Sequence, residues 1–195
     1  MDKLALDHVE NLVVETAKAE DVPAIKLMID AAYSKYIERF GKLPAAMTAD
    51  YDKLVETQSL YVLRVGGTMI GSVLLTRDDA SIKVNNLVVE PSAQGRGYSR
   101  VLMDHAEDMA RAQGLVAVTL FTNEKMHENI VFYTKIGFTE TGRRTEDGFN
   151  RVFFRKTLCN FTKGSNRNAH AISSDRDNRD APAACGLRRS RGGTG

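Results

Sequence analysis

Apolar and polar positions along this chain recur in two rhythms, one near every second residue and one near every third or fourth. Leu12 to Thr16 reads as a short strand. Glu20-Asp21-Val22-Pro23 then opens a helix, with Asp21 or a neighbour as cap and Pro23 in the first turn, where its missing N–H costs nothing. Ile25, Met28, Ile29, Ala32 and Tyr36 give that helix one apolar face. Phe40 to Ala49, with Gly41 and Pro44, is a loop, and Ala49 to Glu56 a short second helix. Leu60 to Val65 and Met69 to Thr76 form a hairpin across Gly66-Gly67. Ile82 to Val89 is the next strand, ending at Glu90-Pro91. Tyr98, Val101, Leu102, His105, Ala106, Met109 and Ala110 make a helical stripe that Gly114 stops. Leu115 to Phe121 is a β-branched, apolar strand. Thr122-Asn123 caps a helix running to Ile136, and Gly137 ends it. Phe138 to Arg143 and Phe149 to Leu158 close the pattern as a hairpin, with Asp147-Gly148 as its turn. The order is β α (α) β β β α β α β β, without an internal repeat.

Composition changes this picture at one place. The 195 residues are 43% hydrophobic and 27% charged, an ordinary balance for one globular domain with something added. From residue 160 onward few large apolar side chains remain, and the segment cannot bury enough surface to offset its ordering entropy. The expected organisation is therefore a folded domain over 1–159 and a disordered, basic tail over 160–195. The tail carries Lys163 and six arginines against Asp175, Asp177 and Asp180. A basic arm could touch nucleic acid, but only Phe161 is available there for base stacking, so a solvated extension is the expectation. The formal net charge of +2 gives no reason to expect nucleic acid or an acidic membrane surface as partner. Cys159 and Cys185 match no metal or redox spacing. No apolar run is long enough to span a membrane, the N-terminus lacks a secretory apolar core, and a cytoplasmic location is expected.

The chemistry gathers between the strand ending at Val89 and the helix opening at Tyr98. Gln94-Gly95-Arg96-Gly97-Tyr98-Ser99 places two glycines at the mouth of a helix. A helix N-terminus presents N–H groups without internal partners, and its dipole attracts anions. Glycines remove the Cβ atoms that would hold a phosphate away. The run fits a phosphate or pyrophosphate cradle; a merely tight strand-to-helix turn is the other reading. Gly97 is not followed by Lys-Ser/Thr, as a Walker loop requires, and Arg100 stands where a Rossmann fingerprint needs its third glycine.

These residues resemble the acetyl-CoA signature of the GNAT superfamily of N-acetyltransferases, Gln/Arg-x-x-Gly-x-Gly/Ala, with Ser99 in the last position. Glu128 to Phe138, "ENIVFYTKIGF", is similar to the family's helix ending in Tyr-x-x-x-Gly-Phe. The resemblance covers roughly residues 10 to 158. It implies an α/β (α+β) fold of the acyl-CoA N-acyltransferase type, a mixed, twisted sheet of six or seven strands flanked by helices. It also implies that the strands ending at Val89 and Phe121 run parallel and splay apart. In that gap acetyl-CoA (coenzyme A) would pair with the backbone of Leu87 and Val89. Its pyrophosphate would rest on Gln94, Gly95, Arg96, Gly97, Tyr98 and Ser99.

The same resemblance implies an N-acetyltransferase. The resemblance implies that it would move an acetyl group to a primary amine of a small molecule or protein by direct attack in a ternary complex. Tyr133 is the expected hydrogen-bond donor or general acid at the leaving thiolate, with core packing as its plainer reading. Glu90 is the candidate proton relay, with a solvated loop carboxylate as the alternative. Relatives often carry asparagine where Met126 stands; Asn129, one helical turn before Tyr133, is its candidate substitute. Tyr36 and Glu38, with Tyr33 and Asp50 nearby, are candidates for the acceptor pocket. Arg143 and Arg144 either contact the acceptor or are solvated. His105 reads as a packed histidine and His127 as an exposed one. The last hairpin offers an edge for a homodimer. A non-catalytic acyl-CoA-binding or sensing module is the alternative function, and a nucleic-acid accessory protein a third.

Overall fold

The computed structural model describes residues 11–57 and 59–158. The basic tail expected from residue 160, with Cys159 and Cys185, lies outside the described residues.

Seven strands form one sheet: β1 (Leu12–Thr16), β2 (Leu60–Val65), β3 (Thr68–Asp78), β4 (Ser81–Val89), β5 (Ala117–Asn123), β6 (Thr139–Glu146) and β7 (Phe149–Thr157). Their spatial order is β1-β2-β3-β4-β5-β7-β6. Four helices accompany them: α1 (Val22–Phe40), α2 (Tyr51–Glu56), α3 (Tyr98–Ala112) and α4 (His127–Lys135). Neighbouring strands are antiparallel except β4 and β5, which are parallel and joined through α3, as a parallel pair requires a long crossover.

Each face of the sheet carries its own core. Successive side chains of a strand point to opposite faces, so Leu63 and Val73 pack with Leu102, Met103 and Ala106 of α3, whereas Val62 and Leu74 pack with Ile25, Met28 and Ile29 of α1. Strands covered on both faces lose the apolar–polar alternation, and this is why Leu60 to Leu63 of β2 and Val73 to Leu75 of β3 read as continuous apolar runs.

The site is prepared where the sheet comes apart. β4 and β5 pair only from Ser81↔Ala117 to Val84↔Leu120. The register of β3 against β4 shifts between Leu74 and Leu75, leaving Asn85 as an extra residue in β4. A bulge bends its strand and strengthens the local twist. Beyond it, β4 continues with β3 to Val89↔Gly71 and β5 continues with β7 to Asn123↔Arg151. The two parallel strands thus end on different partners with a wedge between them.

Two local expectations are corrected. Thr122 and Asn123 do not cap α4; they remain in β5, because their ladder with Val152 and Arg151 of β7 continues through them. Asn123 Oδ1 instead accepts the Lys125 N–H at 2.9 Å in the turn that follows, and α4 starts at His127 with Met126 at its N-cap position. Asp21 stands at the N-cap of α1 without a side-chain cap bond. Its carboxylate accepts the Lys18 N–H at 2.9 Å and pairs with Arg64 of β2. β6 is exposed along nearly all its length and forms one edge of the sheet.

Candidate active site

The open edge of β4 follows from strand geometry. Glu90 N–H donates to Ile70 O at 2.9 Å, so alternate residues from Glu90 backward face β3. Leu87 and Val89 therefore direct their backbone groups into the wedge. The Val89 carbonyl accepts Gln94 Nε2 at 3.0 Å, so this side chain ties the strand end to the glycine turn rather than reaching outward.

That turn is an amide nest. Gly95 and Gly97 have φ of 78° and 92°, left-handed values that a side chain would strain. Between Gln94, whose N–H reaches Pro91 O, and Arg100, whose N–H reaches Gly97 O, the five N–H groups of Gly95 to Ser99 donate to no acceptor among the described residues. They lie at the N-terminus of the 15-residue helix α3. Such a group is chemically ready for an anion the size of a phosphate. Arg96 is exposed beside it, and the Tyr98 ring is buried in the α3 core, so Tyr98 offers the nest only its backbone.

Two adjoining cavities meet at the wedge. One is lined by Leu87, Val88, Val89, Gln94, Ser99, Phe132 and Tyr36; the other, of about 200 Å³, by Tyr33, Phe40, Tyr51, Asn85, Asn86, Phe121, Phe149 and Arg151. Tyr33, Leu87, Met126, Asn129 and Tyr133 line both. The Tyr133 ring packs against Phe132, Phe138 and Phe154, while its hydroxyl has no partner among the described residues. Burial pushes its pKa up to about 12, so the phenol keeps its proton at neutral pH. Asn129 Nδ2 lies 3.4 Å from Thr122 Oγ1, one turn before Tyr133 on the same helix face.

The fold thus brings Leu87, Val89, Gln94, Ser99, Asn129, Tyr133 and Tyr36 to one cavity. It does not bring Glu90 or Glu38 to either. Glu90 follows the open edge of β4 but its backbone turns toward Ile70 of β3. Glu38 lies two residues beyond Tyr36, about 200° around the helix, and is exposed. Tyr36 itself sits on the nest side rather than in the aromatic cavity. Its hydroxyl donates to Glu128 Oε1 at 2.5 Å, and Arg39 pairs with Glu128 at 3.2 Å. Burial works to raise Glu128, but the Tyr36 hydroxyl and Arg39 outweigh it and hold this carboxyl below its ordinary value. Asp50 caps α2 by accepting the Lys53 N–H at 3.2 Å. Arg143 pairs with Glu140 and Arg144 with Glu146. His105 packs on the Tyr61 ring, centroids 4.8 Å apart, away from both cavities.

Sequence reasoning missed Asn85, Asn86, Phe121 and Arg151. The signal for the first two was present: a pair of asparagines inside an otherwise apolar strand, Val84-Asn85-Asn86-Leu87. Asn86 Oδ1 accepts the Tyr33 hydroxyl at 2.6 Å, its Nδ2 donates to the Tyr51 hydroxyl at 3.3 Å, and that hydroxyl donates to Ala46 O at 2.8 Å. Among the described residues there is no cluster of metal-ligating side chains and no helix long and apolar enough to cross a membrane.

A sheet that opens between two parallel strands, with an amide nest at one end and a protonated tyrosine lining two adjoining cavities, suits a phosphate-bearing ligand laid along a strand edge. Comparison with known proteins agrees. The family description "Acetyltransferase (GNAT) domain" matches residues 56–140. The "IAA acetyltransferase" of Azospirillum brasilense is 31% identical over 103 residues, 48% of this chain and 67% of that protein. The "Peptidyl-lysine N-acetyltransferase YjaB" of Escherichia coli is 34% identical over 67 residues, 34% of this chain and 42% of that protein. In fold, the chain resembles the ribosomal-protein-S18-alanine N-acetyltransferase of Escherichia coli with a TM-score of 0.61, at 18% identity, over 82% of this chain and 100% of that one. It equally resembles the PaiA N-acetyltransferase of Thermoplasma acidophilum in complex with coenzyme A, with a TM-score of 0.61 at 16% identity, over 76% of this chain and 99% of that one. The chain belongs to the GNAT acetyltransferase family, an enzyme family that uses acetyl-CoA.

Proposed function

We propose that this protein transfers the acetyl group of acetyl-CoA to a primary amine by direct attack, with both ligands bound at once. The observation that carries the reading is Tyr133, which lines both cavities and keeps an unpartnered hydroxyl at their junction. The domain responsible is residues 1–159. Acetyl-CoA, when bound, supplies an acetyl group activated as a thioester.

The chain's own residues supply the rest. The N–H groups of Gly95 to Ser99 hold the pyrophosphate, since they donate to no acceptor among the described residues and lie at the start of α3. Arg96 adds an exposed positive charge, and Gln94 fixes the strand end against the nest. The backbone of Leu87 and Val89 gives the pantetheine arm a strand edge to lie along. Asn129 and Met126 shape the passage from one cavity to the other. Tyr133 Oη holds a proton on the side where the sulfur leaves, which lowers the cost of charge there. Tyr36 steadies the nest-side wall through Glu128. Glu38 and Glu90 take no part in this reading.

The test is calorimetric titration of the purified chain with acetyl-CoA, beside Gly97→Glu, followed by a screen for released CoA thiol. The substitution sets a carboxylate in the nest. Binding abolished by the change, with thiol released only when an amine is added, is the expected result. Absence of binding by the folded, unmodified protein would return the glycine turn to simple geometry. Binding without turnover would favour the acyl-CoA-sensing alternative.

A further inference from the structure

The aromatic cavity restricts the nucleophile more sharply than the family does. Its walls include the rings of Tyr33, Phe40, Tyr51, Phe121 and Phe149. Its neutral polar side chains are amides and hydroxyls, and no carboxylate of the described residues lines it. The Arg151 guanidinium that reaches it is held by Glu146 at 2.7 Å and Asp147 at 2.8 Å, so it is not free to receive an acidic ligand.

An alkylammonium would be badly served there. It would leave water without a counterion among the residues lining this cavity, and the carboxylate that lines the adjoining one, Glu128, is already held by the Tyr36 hydroxyl and Arg39. Aromatic faces can substitute for a carboxylate through cation–π attraction, but the chain's own cations already use two of these faces. Lys42 Nζ stands 3.4 Å from the centroid of Phe149, and Arg151 and Lys83 lie over Phe121 at 4.4 and 5.4 Å. A further cation would compete with Lys42 and Arg151 for these two rings.

A flat, uncharged ligand meets none of these costs. The Tyr33–Asn86–Tyr51–Ala46 hydrogen bonds hold two of the rings in place and satisfy their hydroxyls. Asn85, the bulged residue of β4, donates its Nδ2 to Thr76 Oγ1 at 2.8 Å, and its Oδ1 has no partner among the described residues. That oxygen is an acceptor for the N–H of a neutral amine.

We propose that the acceptor is an aromatic amine whose nitrogen is uncharged at neutral pH, bound among these rings, and not a cationic alkylamine such as a lysine side chain. The proposal rests on the acetyl-transfer reading above. In the reaction the nitrogen–carbonyl bond forms and the carbon–sulfur bond breaks. Tyr133 Oη gives its proton to the departing sulfur and is reprotonated by the proton that leaves nitrogen, so a neutral amine requires no net proton release and no deprotonation before it attacks.

The experiment uses two isomers of equal size, 4-methylaniline and benzylamine, the first neutral and the second cationic at pH 7. Thiol release is measured with the full chain at saturating acetyl-CoA, for the unmodified protein and for Asn86→Asp, which puts a carboxylate in the cavity with little change of shape. The expected result is that kcat/KM for 4-methylaniline exceeds that for benzylamine at least about tenfold and is flat from pH 6.5 to 8.5. In Asn86→Asp the ratio falls by about tenfold or more, the scale of one charge-assisted hydrogen bond. Equal use of benzylamine or of a lysine peptide by the unmodified protein at pH 7, or an unchanged ratio in the variant, overturns the proposal. Acetyl-CoA binding with turnover of alkylamines alone would overturn the acceptor class and keep acetyl transfer; no acetyl-CoA binding at all would remove both.

Discussion

Tyr133→Phe separates the catalytic reading of Tyr133 from its role in packing. The ring packs against Phe132, Phe138 and Phe154 at centroid distances of 5.3, 6.1 and 5.9 Å, and phenylalanine preserves all three contacts. The lost hydroxyl has no partner among the described residues, so no buried group is orphaned, and stability should change by no more than about 0.5 kcal/mol. Catalysis should respond differently. A positioned proton donor is worth about 10² to 10⁴ in rate, or about 3 to 5 kcal/mol of barrier. Because burial pushes Tyr133 up to about 12, the group is protonated throughout the neutral range, and the unmodified enzyme should show no loss of kcat from it up to pH 9. The assay is thiol release at saturating acetyl-CoA with the best acceptor of the unmodified protein, beside calorimetry for cofactor affinity and a thermal midpoint. The expected result is kcat down at least a hundredfold with the affinity for acetyl-CoA and the midpoint unchanged. A kcat within threefold of the unmodified protein would return Tyr133 to the core and require another donor.

Gly71→Ala tests how rigidly the open edge of β4 is held. A Cβ there would lie 3.0 Å from the Val88 carbonyl oxygen and 3.1 Å from Leu102 Cδ1, so the β4 backbone must give by a few tenths of an ångström while the Leu102 side chain turns aside; if the strand is held rigidly, urea unfolding should show a loss of about 1 to 3 kcal/mol, and an unchanged midpoint would contradict that rigidity. His105 governs a pH dependence: burial lowers its pKa below the ordinary 6.5, and its Nε2 is buried without a partner. The unfolded chain therefore binds the proton more readily, and stability falls as pH drops below about 6.5 until the folded-state value is passed. His105→Leu should flatten the thermal midpoint over that window, whereas parallel profiles for the two proteins would refute the assignment.

Much of this protein is legible without its structure, for a local reason. Helix stripes, strand runs and turn residues are set by neighbours within a few positions, so β1, β2 and the start of α3 fall where the pattern puts them. The amide nest is equally local: six consecutive residues, Gln94 to Ser99, contain its glycines and its helix start. Where nonlocal pairing competes with local preference, the pattern misleads. Thr122 and Asn123 are good cap residues, yet β7 keeps them in a strand through ladder bonds that no window around them reveals.

The tertiary structure alone decided the aromatic cavity. Its walls come from α1, the segment before α2, β4, β5, α4 and β7, and only the sheet brings these together. The same dependence explains Glu38 and Tyr36. Helical spacing tells which residues share a face, but which wall of which cavity that face meets depends on the packing of α1 against α4. β4 parts from β5 where a single extra residue, Asn85, enters its pairing with β3, and pairing register is a property of two strands at once.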